Sequence, residues 1–266
     1  MQGNLTSWCN GIPLMHAHEH DAYTFQELAR AGENFQKAIV AADFAGMQLW
    51  GNPSITTDKG GSSCGVALCS PKVNALFDIG YTSNFSLPHR FILTGWHALF
   101  SEGVPLGSVY LETCQNPLET NHNTLQEIGN ILRELGRPYI LGGDWQMSPE
   151  TLQASGWLQA IKGVVLSCND FTYESGGAQT ELDYFVVHRD LLQFHPYVFK
   201  IETQLIPKHS PIVLQFDLDK PMPLISKLVR PTRLPHAADS DHKIGCKEAP
   251  PGFDDFGSLA KDALHG

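Results

Sequence analysis

The chain has 266 residues, 42% of them hydrophobic and only 17% charged. That balance excludes a disordered chain and suffices for one large α/β domain or two small ones. A formal net charge of −10 argues against tight duplex binding, which takes several cationic phosphate contacts.

No apolar stretch reaches the length of a bilayer span, so no membrane partner is expected. The opening, MQGNLTSWCNGIPLM, carries no basic residue ahead of its apolar part. A cytoplasmic or nuclear location is the default expectation. Residues 1–199 hold 9 Lys and Arg against 19 Asp and Glu, while residues 200–266 hold 9 of each. All the excess acid therefore lies in the part expected to fold, and an acidic body suits a carboxylate metal site.

In chain order, residues 1–13 are turn-rich. Residues 24–42 place Phe25, Leu28, Phe35, Ala38, Ile39 and Ala42 on one helical face, with Gly32 interrupting it. Gly60 to Ser63 read as a turn before a strand, CGVALCS. RFILTGW (90–96) and GSVYLE (107–112) are rich in β-branched and aromatic residues and read as strands. Residues 121–135 form a helix with Leu125, Ile128, Leu132 and Leu135 as its buried stripe. Thr120 or Asn121 can cap it, Gly136 can end it and Pro138 forbids continuation. PYILGG is a short buried strand, and Ser148-Pro149-Glu150 opens a further helix. LDYFVV (182–187) and PIVLQF (211–216) are two more strands. The expected domain is 1–219, followed by a loosely ordered Pro/Gly-rich tail, 220–266. Strands outnumber helices and several follow one another without a helix between. The expected class is α/β (α+β), with packed mixed sheets and helices outside, in preference to a doubly wound sheet.

Six cysteines are scattered without a C-x-x-C pair and read as reduced thiols, with Cys64 and Cys69 on opposite faces of one strand. Gly61-Ser62-Ser63-Cys64-Gly65 satisfies G-x-S-x-G, but a nucleophile elbow needs strand, turn and helix, and a strand follows here. His16, His18 and His20 alternate and would face one side of a strand, a possible zinc arrangement if later strands add ligands.

Three segments place polar side chains at the ends of apolar strands, where α/β sites collect their residues. They are Gly142-Gly143-Asp144-Trp145-Gln146, Glu181-Leu182-Asp183-Tyr184-Phe185 and Pro207-Lys208-His209-Ser210-Pro211. Asp144 and Gln146 at i and i+2 can share a pocket, and an acid beside His209 would orient the ring and raise its pKa.

In this order, from about Gly60 to Asp219, the segments resemble the endonuclease/exonuclease/phosphatase family, whose signature is similar to G-D-x-N, an acid-aromatic pair and a D-H segment. The resemblance implies a DNase I-like four-layer sandwich of two mixed sheets flanked by helices, with the first strand and helix missing or degenerate. It implies hydrolysis of a phosphodiester, with nucleic acid the family-level substrate and a small phosphoester the alternative. Asp144 would activate the attacking water, Gln146 would replace the family's asparagine, and His209 would contact the phosphate, held by Asp183. Tyr110 would also contact the phosphate. Glu19 would be the early metal-binding acid, and the ion would be Mg²⁺ or Mn²⁺.

Three departures stand against it. Only 18 residues precede Glu19, with Trp8-Cys9-Asn10-Gly11 the nearest match to the first strand's end. Gln146 is one methylene longer than asparagine, about 1 Å, a displacement that costs on the order of 100-fold in rate if uncorrected. Lys208 sits where the family has an acid, and its charge would repel a metal ion or neutralise a phosphate. The alternative is therefore a catalytically impaired domain, a binding module or retroelement remnant. Singly, each residue also has a plainer role: Asp144 as a turn cap, Asp183 as a strand-end acid, His209 and Tyr110 as satisfied polar groups, Glu19 in a surface loop.

Overall fold

A computed structural model describes residues 1–58, 60–80 and 85–218. The expected tail, 220–266, lies outside the described residues. Among them, no helix is long and apolar enough to cross a membrane.

The amino-terminal third alternates short strands with helices: β1 (Gln2–Asn4), α1 (Gly11–Ala17), β2 (Tyr23–Gln26), α2 (Gly32–Phe44) and β3 (Met47–Asn52). The first strand and helix are thus degenerate but present, at three and seven residues. The strand's end is Asn4, and Trp8–Asn10 form a 3-10 turn leading into α1. The helix expected over 24–42 begins only at Gly32, whose φ is +50°. Tyr23, Thr24 and Phe25 favour a strand, and pairing on both sides overrides their helical spacing: β1 runs parallel to β2 and a later strand antiparallel. Side-chain alternation then sends Tyr23 and Phe25 outward beneath α2, against Phe35, Ala38 and Ala42.

Next come β4 (Ile55–Thr56), β5 (Ser62–Ser63), β6 (Val66–Pro71), β7 (Leu76–Phe77), β8 (Phe91–Trp96) and β9 (Val104–Tyr110). Cys64 precedes β6 at φ +67° while Cys69 lies within it, so the two do not share a strand, although both are buried. The G-x-S-x-G run lies in β5 and the turn into β6, with no helix after it. The short α3 (Pro117–Thr120) leads into α4 (His122–Leu135). Its buried stripe is Leu125, Ile128 and Leu132, and Gly136 ends it at φ +59°. Asn121 does not cap the helix with its side chain. It accepts from the Glu112 amide at 2.8 Å and donates to the Glu112 carbonyl at 3.0 Å, tying α4 to the end of β9.

The remainder is β10 (Ile140–Asp144), α5 (Pro149–Ala154), α6 (Trp157–Ile161), β11 (Gly163–Leu166), β12 (Tyr173–Ser175), β13 (Ala178–Thr180), β14 (Asp183–His188), β15 (Tyr197–Lys200) and β16 (Ile212–Gln215). Ser148 caps α5 through the Thr151 amide. Two six-stranded mixed sheets result, in the orders β15-β16-β1-β2-β6-β3 and β11-β14-β10-β9-β8-β7. They pack face to face through β1 and β2 against β9, β10 and β14, with α2 on one outer face and α4 and α6 on the other. Gly142 permits this approach: a Cβ there would lie 2.2 Å from Thr24 Oγ1.

Candidate active site

The inward row of β10 runs Ile140, Gly142, Asp144, so the glycine that lets the sheets meet is followed, two residues on, by a carboxylate at the strand's end. Across β10, Asp144 pairs in register with Asp183 of β14 on one side and Tyr110 of β9 on the other. Three polar side chains therefore line one edge of the second sheet. Trp145 fixes the turn beyond: it is fully buried, stacks on Tyr184 at 5.5 Å and donates to the Tyr184 carbonyl at 2.9 Å.

His209 reaches this row from the loop before β16. Its Nδ1 lies 2.8 Å from Asp183 Oδ2, and both residues are buried. The β12–β13 hairpin holds that loop: the Glu174 amide donates to the Lys208 carbonyl at 2.8 Å, and the Ser210 amide to the Thr172 carbonyl at 2.7 Å. Thr172 Oγ1 accepts from the Leu182 and Asp183 amides, fixing the start of β14. The Tyr173 ring lies 4.8 Å from the imidazole.

The first sheet supplies the opposite side. Asn4 Nδ2 donates to Asp144 Oδ2 at 2.9 Å. Gln146 Nε2 donates to the same oxygen at 2.7 Å, and its own Oε1 accepts from Thr113 Oγ1 at 2.9 Å. Gln146 adopts φ +53°, which turns its longer side chain back onto Asp144. Glu27 follows β2 at φ +52° and accepts a short hydrogen bond from the Tyr110 hydroxyl. Arg90 stacks on Tyr110 at 5.0 Å and donates to the Leu111 carbonyl at 3.1 Å.

Burial and then the Asp183 charge push the Asp144 carboxyl up to about 7, against the opposing pull of His209 and Asn4. Burial works against a charged His209, but the charge and hydrogen bond of Asp183 outweigh it and raise the ring to about 9. Burial first, and the Glu27 carboxylate second, hold the Tyr110 phenol far above its ordinary range, so it stays protonated and donates.

Five of the six expected residues, Asp144, Gln146, His209, Asp183 and Tyr110, thus meet at one end of the sandwich. Glu19 is not brought there: it is exposed in the loop after α1, beside His16 and Met15. Glu27, just after β2, meets Tyr110 and Asn4 meets Asp144, and neither was named from the sequence. Glu27 does follow a strand rich in aromatic and β-branched residues. Leu14 and Met15, just ahead of Glu19, belong to α1, so Glu19 follows a helix and not a strand. His16 also lies in α1 and His18 ends it, so the alternating histidines share no strand. Among the described residues the metal-competent cluster is Asp144, Asp183 and His209, whose ligand atoms lie within 4.8 Å of one another. A cavity of about 550 Å³ opens between the sheets at their other end, beside Met1, Trp96 and Phe199, and includes none of these residues.

No protein-family model and no curated protein matches the sequence. Solved structures do. The endonuclease domain of TRAS1, a telomere-specific non-LTR retrotransposon, aligns with TM-score 0.60 at 16% identity over 82% of this chain and 97% of that one. The AP endonuclease LMAP of Leishmania major gives 0.59 at 13% over 79% and 85%. An endonuclease/exonuclease/phosphatase family protein of Bacteroides thetaiotaomicron gives 0.53 at 14% over 81% and 89%. Two mixed sheets packed between helices, with Asp144, Asp183 and His209 gathered at one end, are built on the DNase I-like fold of the endonuclease/exonuclease/phosphatase proteins.

Proposed function

We propose that the chain is a divalent-metal-dependent phosphodiester hydrolase, nuclease-like in type. The observation that carries this reading is the Asp183–His209 hydrogen bond placed in register beside Asp144, whose carboxylate also receives the Asn4 and Gln146 amides. A protonated imidazole next to a carboxylate with a proton affinity near neutrality separates the acid and base roles of hydrolysis.

The donor set fits a hard cation. Glu27 offers carboxylate oxygen, and the two buried acids beside it call for positive charge. Glu27, with Asn4 and Asp144 alongside, would hold Mg²⁺ or Mn²⁺; when bound, the ion supplies charge neutralisation and orientation of the phosphate. Asp144 takes a proton from the attacking water and aims it in line, with Asn4 and Gln146 fixing the carboxylate. His209, kept charged by Asp183, donates to a phosphate oxygen and offsets the charge that develops there. Tyr110 donates to Glu27 and lies beside the same phosphate position.

A nucleic acid is the first substrate class to test, because the structures similar to this one include a retrotransposon endonuclease and an AP endonuclease. The net charge of −10 favours a small phosphodiester as the other arm. The experiment offers nicked duplex, abasic duplex, single strand and a small chromogenic phosphodiester, each with Mg²⁺, Mn²⁺ or chelator. Hydrolysis that chelator abolishes and Asp144→Ala removes is expected. Equal, chelator-insensitive background in both proteins would end the reading. A second reading, a binding module with impaired catalysis, draws on the exposed Lys208 beside His209. Absence of calorimetric Mg²⁺ binding at millimolar concentration would favour it.

A further inference from the structure

Gln2 and Asn4 lie two residues apart on β1, so both side chains face the second sheet. Each hands an amide proton to one acid. Asn4 serves Asp144, and Gln2 Nε2 donates to Asp183 Oδ1 at 2.9 Å, the oxygen that His209 does not use. The same Gln2 nitrogen donates to Gln26 Oε1 at 2.8 Å. Gln26 Nε2 donates to Ser108 Oγ at 2.8 Å, and Ser108 Oγ donates to the Phe25 carbonyl at 2.9 Å. Gln2, Gln26 and Ser108 are all fully buried, so bulk water does not replace a missing partner.

The proton order along this chain is forced from one end. A carboxylate only accepts, so Gln2 must present its NH₂ to Asp183. Its second N–H then requires the oxygen of Gln26, which turns the NH₂ of Gln26 toward Ser108. The serine hydroxyl is left one acceptor, the Phe25 carbonyl. Carboxylate rotation about χ2 is soft, and a single contact with His209 would not define it. A donor on each carboxylate oxygen does.

We infer that Gln2, seated by Gln26 and Ser108, is a positioning residue that holds the Asp183 carboxylate in the rotation aimed at His209. Fully buried, it acts through Asp183 and not on the reacting atoms. Its kinetic consequence rests on the hydrolytic reading above; its effect on the hydrogen bond does not.

The test uses the full chain, Gln2→Met, Gln26→Met and the double variant, Met being close in length but without amide protons. The first measurement is independent of turnover: the downfield imidazole N–H proton resonance, assigned by its loss in His209→Ala. Wild type shows it, and Gln2→Met broadens or shifts it. The second is kinetic. Gln2→Met lowers kcat about tenfold or more with KM within about twofold, and Gln26→Met lowers it less. The double variant is no worse than Gln2→Met, because the two act through one carboxylate. If Gln2→Met does not fold by circular dichroism, Ser108→Ala carries the test from the far end of the chain, with the same direction expected. An unchanged resonance with unchanged kcat, or single losses that multiply in the double variant, overturns the inference. A resonance that responds in a protein that hydrolyses nothing leaves the positioning role standing and removes the hydrolytic one.

Discussion

The carboxyl-terminal strands β10, β14 and β16 and the amino-terminal strands β1 and β2 meet the same cluster from opposite sheets with different equipment. The first group brings the charged side chains: Asp144 and Asp183 in register and His209 just ahead of β16. From β1 and β2 come mostly amides, with Gln2, Asn4 and Gln26 wholly buried, and one acid, Glu27, just beyond β2. On the proposed reading, one side holds the groups that exchange protons, and the other holds them still. The two sides should therefore fail in different ways when mutated.

The largest effect is expected on the carboxyl-terminal side. Asp144→Ala or His209→Ala should lower kcat about 1,000-fold or more, the scale of losing a general base or a charge-stabilising donor. Thermal unfolding of Asp144→Ala should change little, because an ionised Asp144 is costly to bury, whereas His209→Ala should also lose stability by leaving the Asp183 carboxylate buried without its partner. Steady-state rates on the best phosphodiester substrate decide this; a loss under tenfold at either position would break the contrast between the sides.

On the amino-terminal side the expected loss is in metal affinity. Glu27→Gln should weaken Mg²⁺ binding about 10- to 100-fold by calorimetry, the range for disturbing a ligand or its immediate support. Glu19→Gln should leave binding unchanged. The reverse order would return the metal site to the loop after α1.

The same division explains what could be read before any coordinates. Asp144, Asp183 and His209 announce themselves because each adjoins a continuous apolar run of sequence, and the Gly142-Gly143 pair marks a close backbone approach. α4 was equally legible, since its leucine stripe and Gly136 agree on one period and one end. β1 and β2 were not. Strands of three and four residues give too few alternations to establish a period. Both take their stability from pairing with β6 and β16, far along the chain, so local propensity carries little of the signal. Gln2 and Asn4 were hidden for a further reason: buried amides look like ordinary turn residues until their acids are placed.

A medium-sized effect separates the charge of Asp144 from its chemistry. Its pKa is raised in the fold from an ordinary 3.8 to about 7. The stability this gives is complete below the unfolded value and is lost as pH rises through about 7. Asp144→Asn has no such loss. In chelator, the stability gap in favour of the variant should therefore widen between pH 5 and pH 8 by on the order of 2–3 kcal/mol. Adding Mg²⁺ should narrow it by stabilising the wild type alone. Denaturant melts at the two pH values test this, and a gap independent of pH would mean that the carboxylate is not buried beside Asp183 as described.

The smallest effect concerns Lys208, where the two sides come closest to conflict. The residue is exposed and precedes His209, at φ +66°. Aspartate tolerates that backbone better than lysine does. The Lys208 charge also opposes a divalent ion across solvent, where screening leaves such pairs at no more than about 1 kcal/mol. Lys208→Asp should therefore tighten Mg²⁺ binding about three- to fivefold at low salt, and the gain should fade as ionic strength rises. If lysine instead serves the phosphate, the same variant raises KM for every substrate while leaving metal affinity where it was. Calorimetry and KM measured on one preparation tell the two apart, because repulsion acts on the ion before substrate arrives and phosphate binding acts only after.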